Sequence, residues 1–203
     1  MTTARTRLDA MIADLERNPR VELLEATVAP PTPPSEIEHA VRLADGRLPA
    51  GVEAFYREVG AVRLRWRHTV PELRHGDLSD QGLVHLLPLD EVFGDWRGVT
   101  WHSPEDQEYR RVRPFDMFVP EACAALLPPL DSVHYHYFGE ELYDTGYSFD
   151  AYLDRLLASR GYWYWPQTLC RELQDSTEVT AFRRAMPVLF TDYDDALFQP
   201  APH

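Results

Sequence analysis

Lysine is absent from this chain: all twenty basic residues are arginines. P-loop phosphate binding, protein-kinase chemistry and Schiff-base catalysis each need a lysine, so those enzyme classes fall away. Positive charge is scarce altogether. Twenty arginines face 33 acidic residues for a net charge of −13, which argues against a nucleic-acid partner, because duplex binding rests on cations that neutralise phosphates. No run approaches the ~18 consecutive apolar residues of a membrane span. Cysteine is limited to Cys123 and Cys170, without a CxxC or a Cys/His cluster, so both are expected as buried thiols in a reducing compartment. Residues 1–10 carry Arg5, Arg7 and Asp9 with no apolar segment behind them, and neither end holds a lipidation or retention motif, which predicts a cytoplasmic protein.

The residues that are present suffice for a folded domain. Of 203 residues, 44% are hydrophobic and 12% aromatic, enough to bury a core without disulfides or metal and too many for a disordered chain. Leu8, Met11, Ile12 and Leu15 repeat at helical spacing, and Asn18-Pro19 ends the helix predicted over residues 4–17. A stiff proline-rich stretch, residues 29–34, separates this helix from the next one. Ser35 opens a capping box with Glu38, and Ile37, Ala40, Val41 and Ala44 carry the apolar face to Asp45-Gly46. Pro49 starts another helix with Val52, Phe55, Tyr56 and Val59 as its buried stripe up to Gly60, and the two short helices are expected to form a hairpin.

The period then changes to two. Val62, Leu64 and Trp66 alternate with Arg63, Arg65 and Arg67, which predicts a half-buried strand with its arginines outward, read as the charged guard of a sheet edge. Runs at 83–87, 115–119, 123–127 and 133–138 have strand length, residues 88–96 suggest a short helix or turn, and residues 97–113 are polar and irregular. Ser148 begins a helix with Phe149, Tyr152, Leu153, Leu156 and Leu157 on one face, closed by Gly161. A further helix is expected from Pro166 to about Gln174, and the tail from Pro187 is acidic. Helices, then strands, then helices predict an α+β fold: N-terminal helices, a four- to five-stranded mainly antiparallel sheet, and C-terminal helices packed against it.

Chemistry is sparse. His134 and His136 stand two apart on a strand with Glu140 beyond, a spacing that resembles the first cupin metal motif. The flanking glycines and the second motif are missing, so a metal-dependent enzyme on His134, His136 and Glu140 is only a lesser alternative, and no metal or other cofactor is expected. No Gly-x-Ser-x-Gly elbow occurs. Arg63, Arg65 and Arg67 with Arg110, Arg111 and Arg113 offer an anion site as the alternative to edge protection. The run Tyr162-Trp163-Tyr164-Trp165 offers core packing or a partner surface.

Residues 33–60 contain a short helix, the pair Leu48-Pro49, a second helix with Phe55-Tyr56, and Gly60 before a strand. This is similar to the N-terminal signature of the SMI1/KNR4 (SUKH) superfamily. Three further blocks resemble the same family in order: Leu83 to Val92, the strand opening at Arg113-Pro114-Phe115, and Val133 to Leu157 with its Ser-Phe-x-x-Tyr-Leu helix. The resemblance implies a division into an N-terminal helical extension (1–29), a linker (30–34), the SMI1/KNR4-like domain (35–175) and a C-terminal tail (176–203). It also implies a non-enzymatic binding protein of a family many of whose bacterial examples are immunity proteins that neutralise a polymorphic toxin, with a regulatory or scaffold module as the alternative.

An acidic inhibitor suits a basic toxin such as a nuclease, since opposite potentials steer encounter. Residues 1–113 carry 15 arginines against 19 acids, net −4, whereas residues 114–203 carry 5 against 14, net −9. The partner surface is therefore expected around Glu140, Glu141 and Asp144, with Trp163 or Trp165 as anchors.

Overall fold

The computed structural model describes residues 2–74, 80–129, 131–138 and 141–202. Its centre is a seven-stranded antiparallel sheet in which every strand lies beside its neighbours in sequence. The strands are β1 (Val21–Val28), β2 (Val62–His68), β3 (Gln81–Leu86), β4 (Arg113–Val119), β5 (Ala122–Leu126), β6 (Ser132–Tyr137) and β7 (Leu142–Ser148). Six helices accompany it among the described residues: α1 (Ala4–Arg17), α2 (Pro34–Leu43), α3 (Val52–Tyr56), α4 (Leu89–Val92), α5 (Phe149–Ser159) and α6 (Thr177–Leu189). The fold is α+β, and the expected count of four to five strands was too low.

The two unexpected strands are the two edges, each hidden by a local irregularity. β1 runs Val21-Glu22-Leu23-Leu24-Glu25-Ala26-Thr27-Val28 and slips register between Leu23 and Glu25. The extra residue breaks the alternation on which a strand is recognised, and Leu24 is left 40% exposed. β7 contains Asp144 and Gly146, residues depleted in strands, and its pairing with β6 supplies the order that propensity withholds.

With β1 outside it, β2 is not an edge strand, which corrects the expected role of its arginines. They form a ladder with the neighbouring strands instead. Arg67 pairs with Glu22 at 2.6 Å, Arg65 stands opposite Glu25 in register, and Arg63 Nε donates to His85 Nε2 at 3.3 Å. The other face of β2 is buried. The Trp66 indole N–H donates to the Arg160 carbonyl at 2.7 Å, and Gly82 lies opposite Trp66 on β3. A Cβ on Gly82 would collide with the indole, so the glycine makes room for the tryptophan.

Helices cover this inner face. Leu8, Met11 and Leu15 of α1, Phe149, Tyr152, Leu153 and Leu156 of α5, and Phe182, Ala185, Met186 and Leu189 of α6 join Leu64, Trp66, Val84 and Leu86 in one cluster. Each of the larger apolar side chains contributes about 1.5–3 kcal/mol of transfer free energy. α1 and α5 follow the expected boundaries. α5 is capped by Ser148, whose Oγ accepts the Ala151 N–H, and stops where Arg160 and Gly161 turn left-handed.

α6 was not among the expected elements, residues 176–203 being assigned to a C-terminal tail that turns acidic from Pro187. Pro187 sits in the last turn of the helix, where only the carbonyl one turn back loses a donor. The helix expected to follow Pro166 is instead two short 3-10 turns, Trp165–Leu169 and Arg171–Leu173, separated by extended Cys170. The helix expected from Pro49 to Gly60 keeps regular geometry only over α3, since Gly51 enters it at φ +86°.

The opposite face of the sheet is covered around β5. Val112, Cys123, Ala125 and Leu127 form a small second cluster under the irregular segment 97–112, with Tyr109, Phe138 and Leu142 against it. Both cysteines are buried free thiols, and burial pushes both pKa values up.

Among the described residues one carboxyl group is buried. Asp116 of β4 is fully buried, its Oδ1 accepting the His85 backbone N–H at 2.9 Å and its Oδ2 the Tyr152 hydroxyl at 3.0 Å. Both bonds favour the carboxylate, yet burial outweighs them and pushes the pKa up to about 7.

Candidate partner-binding surface

β6 alternates strictly. Val133, Tyr135 and Tyr137 point to the inner face and His134 and His136 to the other. The inner face of β6 outruns the core helices, and the chain after α5 folds back over its far end. A small aromatic cluster results, in which Tyr135 stacks on Phe118 at 6.3 Å and Phe118 meets Tyr164 edge-on at 6.1 Å.

Beside this cluster opens a cleft of about 310 Å³ lined by Tyr135, Tyr137, Tyr143, Tyr164, Gln167, Leu173, Ser176 and Glu178. Polar groups hold its walls in place. The Tyr164 hydroxyl donates to Glu121 at 2.6 Å, the Gln167 amide donates to the Tyr135 oxygen at 3.1 Å, and the Ser176 hydroxyl donates to Gln167 Oε1 at 2.8 Å. Burial raises the pKa values of Tyr135 and Tyr164, so both rings stay neutral. Among the described residues no arginine lines the cleft.

The residues expected to meet a partner are placed unevenly around it. Tyr143 of the wall is flanked by Glu141, just before β7, and Asp144, on β7, both exposed. The Asp144 carboxylate accepts the Gly146 N–H at 2.8 Å. Trp163 is partly buried against the aromatic cluster, edge-on to Tyr164 at 4.9 Å. Trp165 has no exposed surface; it packs on Tyr152 at 4.9 Å and near Phe198 at 6.4 Å, so its side chain serves the core. Glu140 lies outside the described residues. Sequence reading did not single out Tyr143, Gln167 or Glu178. The spacing Tyr135-x-Tyr137 with Tyr143 on the next strand was the available signal, since a hairpin brings such positions together.

The histidine pair lies on the opposite face. His134 Nδ1 is 3.3 Å from the Ser132 carbonyl. His136 is 1% exposed and sits between Tyr109 at 5.4 Å and Phe138 at 5.3 Å. Desolvation pulls its pKa down, so the ring is neutral. In register, His136 faces Leu142 and His134 faces Asp144. Among the described residues no three His, Cys, Asp or Glu side chains gather to hold a metal ion. Arg110 and Arg97 lie over the Trp101 ring at 5.0 and 5.7 Å, while Arg63 engages His85, so these arginines have protein partners.

A larger cavity, about 540 Å³, lies between the ends of α1 and α6 and is lined by Asp14, Arg17, Arg20 and Asp192 among others. Asp14 and Asp192 both pair with Arg160, at 3.1 and 2.7 Å, and Asn18 Nδ2 donates to the Leu189 carbonyl at 2.9 Å. These contacts join the two terminal segments. No helix in the described residues is long and apolar enough to cross a membrane. In comparison with known proteins, the chain matches no family model and no curated sequence.

Proposed function

We propose that this protein is a non-enzymatic binding protein of the SMI1/KNR4 type, an immunity protein that occupies and neutralises a bacterial polymorphic toxin with a basic surface. The resemblance over residues 33–160 supplies the class. The observation that supports it best is electrostatic. Net charge of −9 is gathered in residues 114–203, and that half of the chain contains the tyrosine-lined cleft with Glu178 in its wall, exposed Glu141 just before β7 and exposed Asp144 on it. Tyrosine is enriched at binding surfaces because its ring is apolar and its hydroxyl polar, and excess negative charge speeds capture of a basic partner.

Co-expression with the toxin encoded by the adjacent gene tests the proposal. Survival of the host and co-purification of the two chains are expected. Failure to bind or to protect overturns the immunity reading, and an adjacent gene without secretion or toxin segments would favour a regulatory or scaffold partner.

A further inference from the structure

We propose that the cleft between β6, β7 and the Tyr164–Glu178 segment is a guanidinium pocket that receives one arginine side chain from a partner protein. The inference rests on the protein-binding reading and adds the chemistry of the residue that enters.

Three observations support it. The first is the lining. Tyr137 and Tyr143 are partly exposed and supply ring faces, with the buried rings of Tyr135 and Tyr164 behind them, and beside them stands the Glu178 carboxylate, which only accepts, with phenol and Ser176 hydroxyls that can turn a lone pair to a donor. One Gln167 amide N–H is held by the Tyr135 oxygen, and its carbonyl accepts the Ser176 hydroxyl. A group rich in donors and empty of acceptors complements such a wall, and a guanidinium has five N–H donors and no acceptor.

The second is charge. Among the described residues no basic residue lines the cleft and Glu178 enters no ion pair, its carboxylate accepting the Thr177 hydroxyl at 3.1 Å. A second carboxylate, Glu121, sits behind the wall and accepts the Tyr164 hydroxyl. That bond draws negative charge toward the ring facing the cleft. Elsewhere in the molecule arginines already lie against rings, as Arg155 does over Tyr147 at 3.7 Å, whereas the wall built from these four tyrosines contains no arginine of its own.

The third is shape. A space of about 310 Å³ is at the lower end of small-molecule sites and suits one side chain rather than a peptide segment. A flat, weakly hydrated guanidinium stacks on aromatic faces, whereas an ammonium is compact and holds its water, so arginine is favoured over lysine.

The test uses the whole protein and a blocked arginine, N-acetyl-arginine-N-methylamide, followed through the ring signals of labelled tyrosine by NMR. A saturable shift confined to Tyr135, Tyr137, Tyr143 and Tyr164 is expected. The uncharged citrulline counterpart should bind at least about tenfold more weakly, and the blocked lysine should also bind more weakly than arginine. Tyr143→Ala and Glu178→Gln should each weaken binding by about three- to tenfold with little change in melting temperature, whereas Tyr143→Phe should retain it.

No saturable shift, equal binding of the citrulline or lysine probe, or shifts outside the cleft would overturn the proposal. Its failure is separable from that of the toxin reading. If the toxin binds Glu178→Gln and Tyr143→Ala as tightly as wild type, the pocket assignment falls and the immunity reading stands. If the probe binds in the cleft while no toxin is bound or neutralised, the reverse holds.

Discussion

Replacing Asp116 by Asn should remove one component of the pH dependence of this protein's stability, the component set by a single buried carboxyl. Asp116 is fully buried, receives one N–H from His85 and one O–H from Tyr152, and has a pKa pushed up to about 7 from an ordinary 3.8. The folded state therefore holds a proton that the unfolded chain has already released. Between the two pKa values stability falls as pH rises; it is fullest below about pH 4 and the loss is complete above about pH 7. At about 1.4 kcal/mol per pH unit the loss totals about 4 kcal/mol, of which roughly 3 kcal/mol falls between pH 5 and pH 8.

Asparagine matches the protonated carboxyl in shape and cannot ionise. Its Oδ1 accepts the His85 N–H, and its amide donates to the Tyr152 oxygen once that hydroxyl rotates. Urea unfolding followed by tryptophan fluorescence should thus show Asp116→Asn only modestly more stable than wild type near pH 5, with its advantage growing by roughly 3 kcal/mol toward pH 8. Taking the difference between the two proteins cancels the other 32 acidic residues. A pH-independent difference, or a variant weaker than wild type at pH 8, would refute the claim that desolvation outweighs the two hydrogen bonds.

Trp165→Ala should cost about 3–5 kcal/mol in the same assay, because it empties a fully buried site, whereas Trp163→Ala, at a partly buried site, should cost much less; equal costs would contradict the assigned environments. Gly82→Ala should destabilise by about 1–3 kcal/mol through its clash with Trp66, and a wild-type melting temperature would show that β3 can move aside. The neutral His136 ring has a folded pKa below its unfolded one, so its contribution is present above about pH 6.5 and lost as pH falls; His136→Phe should flatten stability between about pH 7 and pH 5, and an unchanged acid slope would locate the loss elsewhere.

Legibility tracked local periodicity. α1 was readable because Leu8, Met11 and Leu15 recur on one face, and β2 because three arginines alternate with Val62, Leu64 and Trp66. β1 was not, since the bulge at Leu24 shifts the alternation halfway along, nor was α6, whose Val179, Phe182, Ala185, Met186 and Leu189 stripe is interrupted by Pro187. The cleft was only partly legible. Tyr135, Tyr137 and Tyr143 come together through one hairpin, a local signal, but Gln167 and Glu178 reach it from two further segments, and no spacing in the sequence expresses that.

By itself the sequence determined the α+β order of the chain, the absence of lysine chemistry, and the excess of negative charge beyond residue 113, because these depend only on composition and on patterns within a dozen residues. Tertiary structure alone decided that β2 is an inner strand whose Arg65 and Arg67 face glutamates on β1, that Trp165 is core while Trp163 is only partly buried, and that Asp116 is sealed from water. Each of these turns on which distant segment is laid beside the residue, and burial and charge pairing are properties of that juxtaposition.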